Sequence, residues 1–594
     1  MRIKLSKALF LRFLFLPASC FLLCSVHNYT DYFARLHASG DFAHFTQEMF
    51  CHAAASSTLT LHYTLEHPEK YGISNTPVTF GRTDETSLIL DSNASAQEYL
   101  KELSHIPVRC LSEAEQQTYD TLTLYLENEK DASNYNFYQE PLGATLGVQA
   151  QLPILLAEYR FCTEQDVENY LNLLARTDAY FTAILNYEAA KSARGLFMSD
   201  STAASIIRQC QAFAHISLKQ HFLVTTFEER LKELSSLNES QRQVYCSRNR
   251  SMLRHHVIPA YELLAEGLQK LKGTGQNDQG LCYFPQGRAY YEYLVRAQTG
   301  SWLPLAGIEK RIRTQLLGDI QRSRDILLAH PQLLQNASYD GLPSAPDEIL
   351  RNLQAEMQSD FPAVSHVDYE IKYVDKALEA YLSPAFYLTP PIDDQNTNVI
   401  YINNGTAYSP LALYTTLAHE GYPGHLYQNT SSQFSRFPIR NLLNFGGFTE
   451  GWATYTEMES YRYAARTMSD ENAKLITDLQ KYQRSVSLAI SSLVDIGVHY
   501  HGYSREEVAQ LLEHLGFTDR AAATALYDAV IEAPANYLKY YLGCLTFRDL
   551  CTYCERSYPT KFDLRDFHRK ILEIGPCPFP VLEKYIKAYY EELT

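Results

Sequence analysis

The sequence has few runs of lysine and arginine, and its formal net charge at pH 7 is −16. Proteins that bind nucleic acids neutralise phosphates with clustered basic residues, so we do not expect a nucleic-acid partner. Tryptophan is also scarce, with 2 residues against 44 tyrosines. Because buried tyrosines need partners for their hydroxyl groups, this composition favours a polar, aromatic-lined interior or cleft.

The cysteines lack the regular spacing of a disulfide framework. Two of the 12 cysteines lie within the first 26 residues, and the others are scattered along a chain that is too long to need disulfides. Cys551 and Cys554 form a CxxC motif, but no second pair completes a zinc or redox site. We therefore expect these two residues to be core cysteines on a helix.

Long hydrophobic runs are missing after the N-terminus. There, basic residues precede an apolar run from Phe13 to Val26, which is the layout of a secretory signal. The run is short for a membrane span of about 20 residues. Cys20 follows Leu-Pro-Ala-Ser and resembles a lipoprotein acylation site. We expect residues 1–26 to be a signal peptide or an N-terminal membrane or lipid anchor, and the protein to be exported and either secreted or anchored. The alternative is an apolar helix that packs on the domain.

Helical patterns dominate the rest of the chain. Capping-box signatures at Ser112 and Ser504 open two predicted helices, and the segment 163–195 predicts one long helix. There is no internal repeat and no low-complexity linker. The sequence therefore predicts a mainly α-helical fold, with a single domain over residues 27–594.

One stretch has a β pattern. Ala-Phe-Tyr-Leu and Asn-Val-Ile-Tyr-Ile, within residues 384–403, flank a turn region rich in proline and aspartate. We expect a small strand pair at this point. Its edge either holds an extended peptide through backbone hydrogen bonds or belongs to a surface hairpin without a ligand.

The segment TLAHEGYPGHLYQ contains two histidines, His419 and His425, with Glu420 directly after the first. In a continuous helix, a spacing of six residues would point the two histidines about 120° apart, so they could not share a small ion. Pro423 and Gly424 lie in the gap and disfavour a continuous helix. The break can turn His425 back towards His419, which predicts a metal site.

A second helix completes this site. The segment FTEGWATYTEMESYRYAA places Glu450 near its start and Glu457 two turns later. Catalytic zinc sites of the His-His-Glu type take their glutamate from a following helix and leave one position open for water. Glu450 is then the third ligand, Glu420 the general base, and Glu457 either an alternative ligand or a hydrogen-bond partner of a ligand. The alternative is a set of polar side chains without a metal.

The motifs HEGYPGH and EGWATYTE resemble those of the bacterial DUF885 proteins, which carry an HExxPGH motif and resemble zinc metallopeptidases of the gluzincin type. Further segments such as SPAFYLTPP and APANYLKYYLG are similar too. The resemblance implies that His419, His425 and Glu450 bind one Zn²⁺ per chain and that Glu420 is the catalytic base. It also implies a large helical gluzincin-like fold with a deep cleft.

Three further residues are candidates for substrate contacts. Tyr540 and His499 are the best candidates to stabilise an oxyanion, a role that the family segments favour. The alternatives are a packing role for Tyr540 and a surface role for His499. Asn403, at the end of the second predicted strand, is a candidate for binding the substrate backbone.

Together these residues favour a zinc-dependent metallopeptidase that hydrolyses short peptides with metal-activated water and a glutamate base. One alternative is a metal-dependent amidase that acts on a cell-wall amide or another small amide. Another is a non-catalytic metal-containing binding protein at the cell surface. Glu420 argues against the last, because a structural zinc site needs no base.

Overall fold

We describe the protein from a computed structural model. The described residues are 32–81, 87–333, 338–363, 367–374, 376, 379, 383–394, 398–405, 407–431 and 437–593. The predicted signal or anchor segment lies outside them.

The described part is mainly α-helical, which confirms the predicted fold class. Its first helices are α1 (32–54), α2 (Thr58–Thr64), α3 (Ser87–His105), α4 (Glu113–Ala132), α5 (Val148–Ala157), α6 (Glu164–Leu174), α7 (Thr177–Ala193), α8 (Asp200–Ala214), α9 (Phe222–Glu233), α10 (Glu239–Met252), α11 (Ile258–Leu271) and α12 (Gly287–Thr299). The later ones are α13 (Leu305–Ala329), α14 (Pro346–Glu356), α15 (Pro410–Glu420), α16 (His425–Ser431), α17 (Gly446–Thr467), α18 (Ala473–Ile496), α19 (Arg505–His514), α20 (Arg520–Glu532), α21 (Asn536–Ser557), α22 (Leu564–Ile574) and α23 (Phe579–Glu592).

Local capping explains where several helices begin. The predicted capping boxes at Ser112 and Ser504 are both present, at the starts of α4 and α19. The prediction of one long helix over 163–195 is wrong, because α6 and α7 are separate helices. The amide of Ala175 still bonds to Leu171, but the amide of Arg176 bonds to Leu173 and tightens the last turn of α6.

Three strands form one small sheet: β1 (Tyr369–Tyr373), β2 (Ala385–Leu388) and β3 (Asn398–Ile402), in the order β1-β3-β2. The predicted pair is β2 and β3, which are antiparallel. Strand β1, which pairs with β3 in parallel, was not predicted. Strand β1 is mostly exposed and lacks the run of buried apolar residues that made β3 recognisable.

The central strand β3 lies between two hydrophobic cores. Ile400 and Ile402 belong to the larger core, which is built from α1, α3, α4 and the helices from α12 onwards. Val399 and Tyr401 point the other way, into the core formed by α5 to α11. Side chains alternate between the two faces of a strand, so both faces of β3 are buried. Strand β3 therefore lies at the junction of the two helical cores.

The described helices include none that is long and apolar enough to cross a membrane. Within the same residues, every cysteine is a free thiol. Cys551 and Cys554 lie on α21, and Cys554 is buried, in agreement with the prediction of core cysteines on a helix.

Candidate metal centre and cleft

The break between α15 and α16 turns the second histidine towards the first. Helix α15 ends at Glu420 and α16 begins at His425. A Cβ atom on Gly424 would lie 1.8 Å from the carbonyl oxygen of His419, so only glycine fits here. The indole Nε1 of Trp452 donates to the carbonyl oxygen of Pro423 at 3.0 Å and ties the turn to α17.

Three predicted ligands meet at this turn. Glu450 Oε2 lies 3.5 Å from His419 Nε2 and 3.4 Å from His425 Nε2. One potential ligand atom from each residue lies within 4.8 Å of the others. Ligand atoms around a tetrahedral zinc ion, at bonds of about 2.0–2.2 Å, are about 3.3–3.6 Å apart. The chemistry and spacing of this donor set therefore fit Zn²⁺.

The charges around these atoms also favour a cation. Burial opposes the charged form of Glu450, but His419 and His425 hold the pKa of its carboxyl well below the usual range. Burial likewise lowers the pKa of His419, but its hydrogen bonds with Glu450 and Glu457 outweigh burial and raise that pKa to about 10. The carboxylates of Glu420, Glu450 and Glu457 around the two imidazoles are an excess of negative charge that a metal ion would neutralise.

Glu457 is not part of the ligand cluster. It contacts His419 through the other ring nitrogen, Nδ1. Its Oε2 lies 3.2 Å from His419 Nδ1. Its Oε1 accepts a hydrogen bond from Arg484 Nε at 2.7 Å. Burial would raise the pKa of Glu457, but Arg484 and His419 lower it to about 2. Of the two roles predicted for Glu457, this geometry supports the hydrogen-bond partner, which orients the imidazole.

We expect Glu457→Gln to weaken zinc binding about 10- to 100-fold, because the amide cannot stabilise His419 as the carboxylate does. Titration with a competing zinc chelator measures this change. Glu459→Gln is the matched control, since Glu459 is on the same helix and pairs with Arg462. Equal zinc affinities in the two variants would contradict the role of Glu457.

Glu420 lies beside the ligand atoms without joining them. Its Oε2 accepts a hydrogen bond from the amide of Tyr387 on β2 at 3.0 Å. Burial raises the pKa of this carboxyl, although His419 and His425 oppose the shift. A carboxylate whose pKa is raised towards neutrality is a better proton acceptor, so its position and environment suit a general base.

The cluster opens into a cleft of about 560 Å³. Its wall includes β2, the three candidate ligands, Glu420 and Tyr540. Tyr540 is brought there by close packing of α17 and α21, where a Cβ on Gly451 would lie 2.5 Å from the Cα of Gly543. The ring of Tyr540 is 6.4 Å from that of His419. Burial and the carboxylates of Glu450 and Glu420 raise its pKa, so the hydroxyl stays protonated and can donate a hydrogen bond.

We expect Tyr540→Phe to lower kcat on a peptide about 100- to 1,000-fold, the usual cost of losing one oxyanion donor. The zinc content of the variant should not change, because Tyr540 is not a ligand. Steady-state kinetics and elemental analysis measure the two quantities. Tyr537→Phe, one turn earlier on α21 and outside the cleft wall, is the control. An unchanged kcat in Tyr540→Phe would exclude the donor role.

The structure does not bring His499 or Asn403 into this cleft. His499 is buried, accepts a hydrogen bond from the amide of Leu281 at 3.1 Å, and donates to the carbonyl of Val530 at 2.9 Å. Burial lowers its pKa to about 4, so it is neutral. Asn403 is buried too, and its amide group donates to the carbonyl of Glu379 at 2.8 Å. These contacts give both residues structural roles, and we assign them no step in the chemistry.

Two cations near the site had no signal in the sequence analysis. Arg484 on α18 reaches the cleft through Glu457, and Lys539 Nζ lies 3.9 Å from Glu450 Oε1. Arg484 belongs to none of the motifs identified in the sequence, and Lys539 lies in APANYLKYYLG but was not singled out there. The one signal that could have indicated Arg484 is chemical: a buried carboxylate such as that of Glu457 needs a positively charged partner.

The fold and site define a helical protein with a His-His-Glu cluster and an adjacent glutamate. The family model described as "Bacterial protein of unknown function (DUF885)" matches residues 89–586. The chain therefore belongs to this family, as its motifs predicted.

Two solved structures are similar to this chain. One is described as the "putative lipoprotein" from Colwellia psychrerythraea; it is 19% identical, with a TM-score of 0.80, over 94% of this chain and 99% of that one. The other is a "putative lipoprotein of unknown function" from Shewanella oneidensis; it is 16% identical, with a TM-score of 0.64, over 92% and 99% of the two chains. At these identities the likeness shows a shared fold. No curated protein matches the chain.

Proposed function

We propose that this protein is a zinc-dependent metallopeptidase that hydrolyses short peptides. The main support is the spacing of the donor set, 3.4 and 3.5 Å between Glu450 and the two histidines, with Glu420 beside it. A purely structural zinc site would use a fourth protein ligand and would need no further carboxylate next to it. The same chemistry would also hydrolyse another small amide, so the test below includes both substrate classes.

Each group has a role in this reaction. A zinc ion held by the cluster would lower the pKa of a water molecule and polarise the substrate carbonyl. Glu420 takes the proton of the attacking water and delivers it to the leaving amine. The hydroxyl of Tyr540 donates a hydrogen bond to the carbonyl oxygen as negative charge develops there. Glu457 keeps the imidazole of His419 oriented.

Strand β2 provides an edge that can hold the peptide. Its Tyr387 amide points away from β3, towards Glu420. Because backbone groups alternate along an antiparallel pair, the amide and carbonyl of Ala385 point to the same side, and both residues line the cleft. An extended peptide that pairs with this edge would place one of its carbonyl groups near the metal centre.

We also propose that the protein works outside the cytoplasm. The N-terminal charge and hydrophobicity pattern is that of an export signal, and Cys20 stands where a lipid anchor could be attached. The two similar solved structures are each described as a "putative lipoprotein", which agrees with such an anchor.

The test is hydrolysis by purified full-length protein that contains about one zinc ion per chain. The protein is incubated with a mixture of short peptides and, separately, with small amides from cell-wall fragments, and the products are identified by mass spectrometry. Zinc-dependent cleavage of peptides would support the proposal. Cleavage of the cell-wall amides alone would favour the amidase, and no cleavage of either class would contradict both.

A further inference from the structure

Arg484 carries a guanidinium group that is only partly used by the protein. Its Nε donates to Glu457 Oε1 at 2.7 Å, and its Nη2 contacts Glu457 Oε2 at 3.3 Å. Among the described residues, Nη1 has no hydrogen-bond partner. The side chain is 41% exposed and lines the cleft together with the candidate metal ligands. One edge of the fork is therefore held in place while the other faces the cleft.

The position of the Arg484 guanidinium is fixed by Glu457, which in turn contacts a candidate metal ligand. Glu457 joins Arg484 to His419, because its Oε2 lies 3.2 Å from His419 Nδ1. A guanidinium held by one carboxylate loses little conformational freedom when it binds a second, since its planar group is already oriented. Arg484 is thus a preorganised anion-binding group in the same cleft as the candidate metal ligands.

The charge balance of the cleft allows an anion to bind there. Its wall contains three carboxylates, those of Glu420, Glu450 and Glu457, and one arginine, Arg484. A divalent cation at the ligand cluster would bring the formal charge of these groups to zero. A carboxylate that approaches Arg484 would then meet no net negative charge.

Two neutral hydrogen-bonding side chains lie in the same wall. Gln480 is one turn before Arg484 on α18, and Tyr461 is on α17. Burial and the carboxylate of Glu457 raise the pKa of Tyr461, so its hydroxyl is protonated. An arginine flanked by an amide and a phenol offers the set of donors that a carboxylate prefers.

We propose that Arg484, assisted by Gln480 and Tyr461, binds the free α-carboxylate of the substrate, so that the protein removes residues from the C-terminus of short peptides. The proposal rests on the peptidase function proposed above and adds the class of substrate. A cleft of about 560 Å³ suits a ligand of a few residues.

The test compares tripeptides that carry a free C-terminal carboxylate with the same tripeptides as C-terminal amides. We expect the zinc-loaded protein to cleave the acids with a kcat/KM about 10- to 100-fold higher, as a charge-assisted hydrogen bond provides. Arg484→Met should remove this preference by lowering the rate on the acids more than on the amides. Arg462→Met is the control, since Arg462 is bound by Asp360 and Glu459 and lies outside the cleft wall. It should keep the preference.

Equal rates on acids and amides in the unmodified protein would overturn the proposal while leaving the peptidase function intact. A loss of the same factor on both in Arg484→Met would also overturn it, because Arg484 would then act only through Glu457.

A binding experiment separates this proposal from failure of the peptidase function. Zinc-loaded Glu420→Gln is titrated with trialanine and with its amide by calorimetry. We expect the acid to bind at least about tenfold more tightly, and Arg484→Met in the same background to abolish the difference. Equal affinities would overturn the proposal even if no peptide is cleaved.

Discussion

Replacing Glu420 with glutamine is expected to lower kcat on a peptide substrate about 100- to 10,000-fold while the protein keeps about one zinc ion per chain. Glutamine has nearly the same shape, so its side-chain oxygen can still accept the hydrogen bond that the amide of Tyr387 gives to Glu420 Oε2 at 3.0 Å. It cannot accept a proton from water at neutral pH. Because Glu420 is not part of the His-His-Glu cluster, the metal affinity should be almost unchanged.

Two measurements on the same preparation check this expectation. Elemental analysis gives the zinc content, and single-turnover kinetics give the rate of peptide cleavage without the contribution of product release. Glu459→Gln serves as the control, because it removes a carboxylate of α17 that bonds to Arg462 rather than to the cleft. Full activity of Glu420→Gln would exclude Glu420 as the base. Loss of zinc in that variant would instead make Glu420 a ligand.

Much of the fold could be predicted because its signals are local. Each capping box spans only four residues, from Ser112 to Glu115 and from Ser504 to Glu507. The pairing of β1 with β3 could not be predicted in this way, because a parallel pair depends on the packing of two distant segments. The break within 163–195 was missed for a different reason. The helical periodicity continues across Ala175, and no proline or glycine marks the end of α6 in the sequence.

The residues of the candidate site also differ in whether a local sequence signal could predict them. His419, Glu420 and His425 lie in one short segment whose proline and glycine explain their spacing, so residue chemistry alone was enough to predict them. Arg484 is placed by the packing of α18 on α17, and no spacing rule connects it to the histidines. His499 was predicted as a candidate oxyanion donor, but it does not line the cleft. It lies within the segment SLVDIGVHYHGYSREE, which resembles the family, but its ring nitrogens bond to the backbone at Leu281 and Val530.

The largest effect on the metal is expected from the ligands themselves, and it tests every step of the proposal. We expect His419→Ala and Glu450→Ala each to reduce bound zinc from about one ion per chain to almost none. A site with two remaining ligands cannot complete the tetrahedral arrangement that the three donor atoms support at 3.4 and 3.5 Å. Peptide cleavage should be lost together with the metal.

The coupling of metal binding to stability provides a second readout that does not depend on activity. A ligand that binds only the folded state stabilises it by about 4 kcal/mol when its concentration is 1,000 times Kd. Added zinc should therefore raise the Tm of the unmodified protein and leave the Tm of both variants unchanged. His501→Ala and Glu459→Ala are the matched controls, because His501 pairs with Glu309, Glu459 pairs with Arg462, and neither lies in the cleft wall. They should respond to zinc as the unmodified protein does.

If the unmodified protein took up no zinc and its Tm did not change, the peptidase mechanism would be wrong. The turn at Pro423 and Gly424 would then be only an interrupted helix.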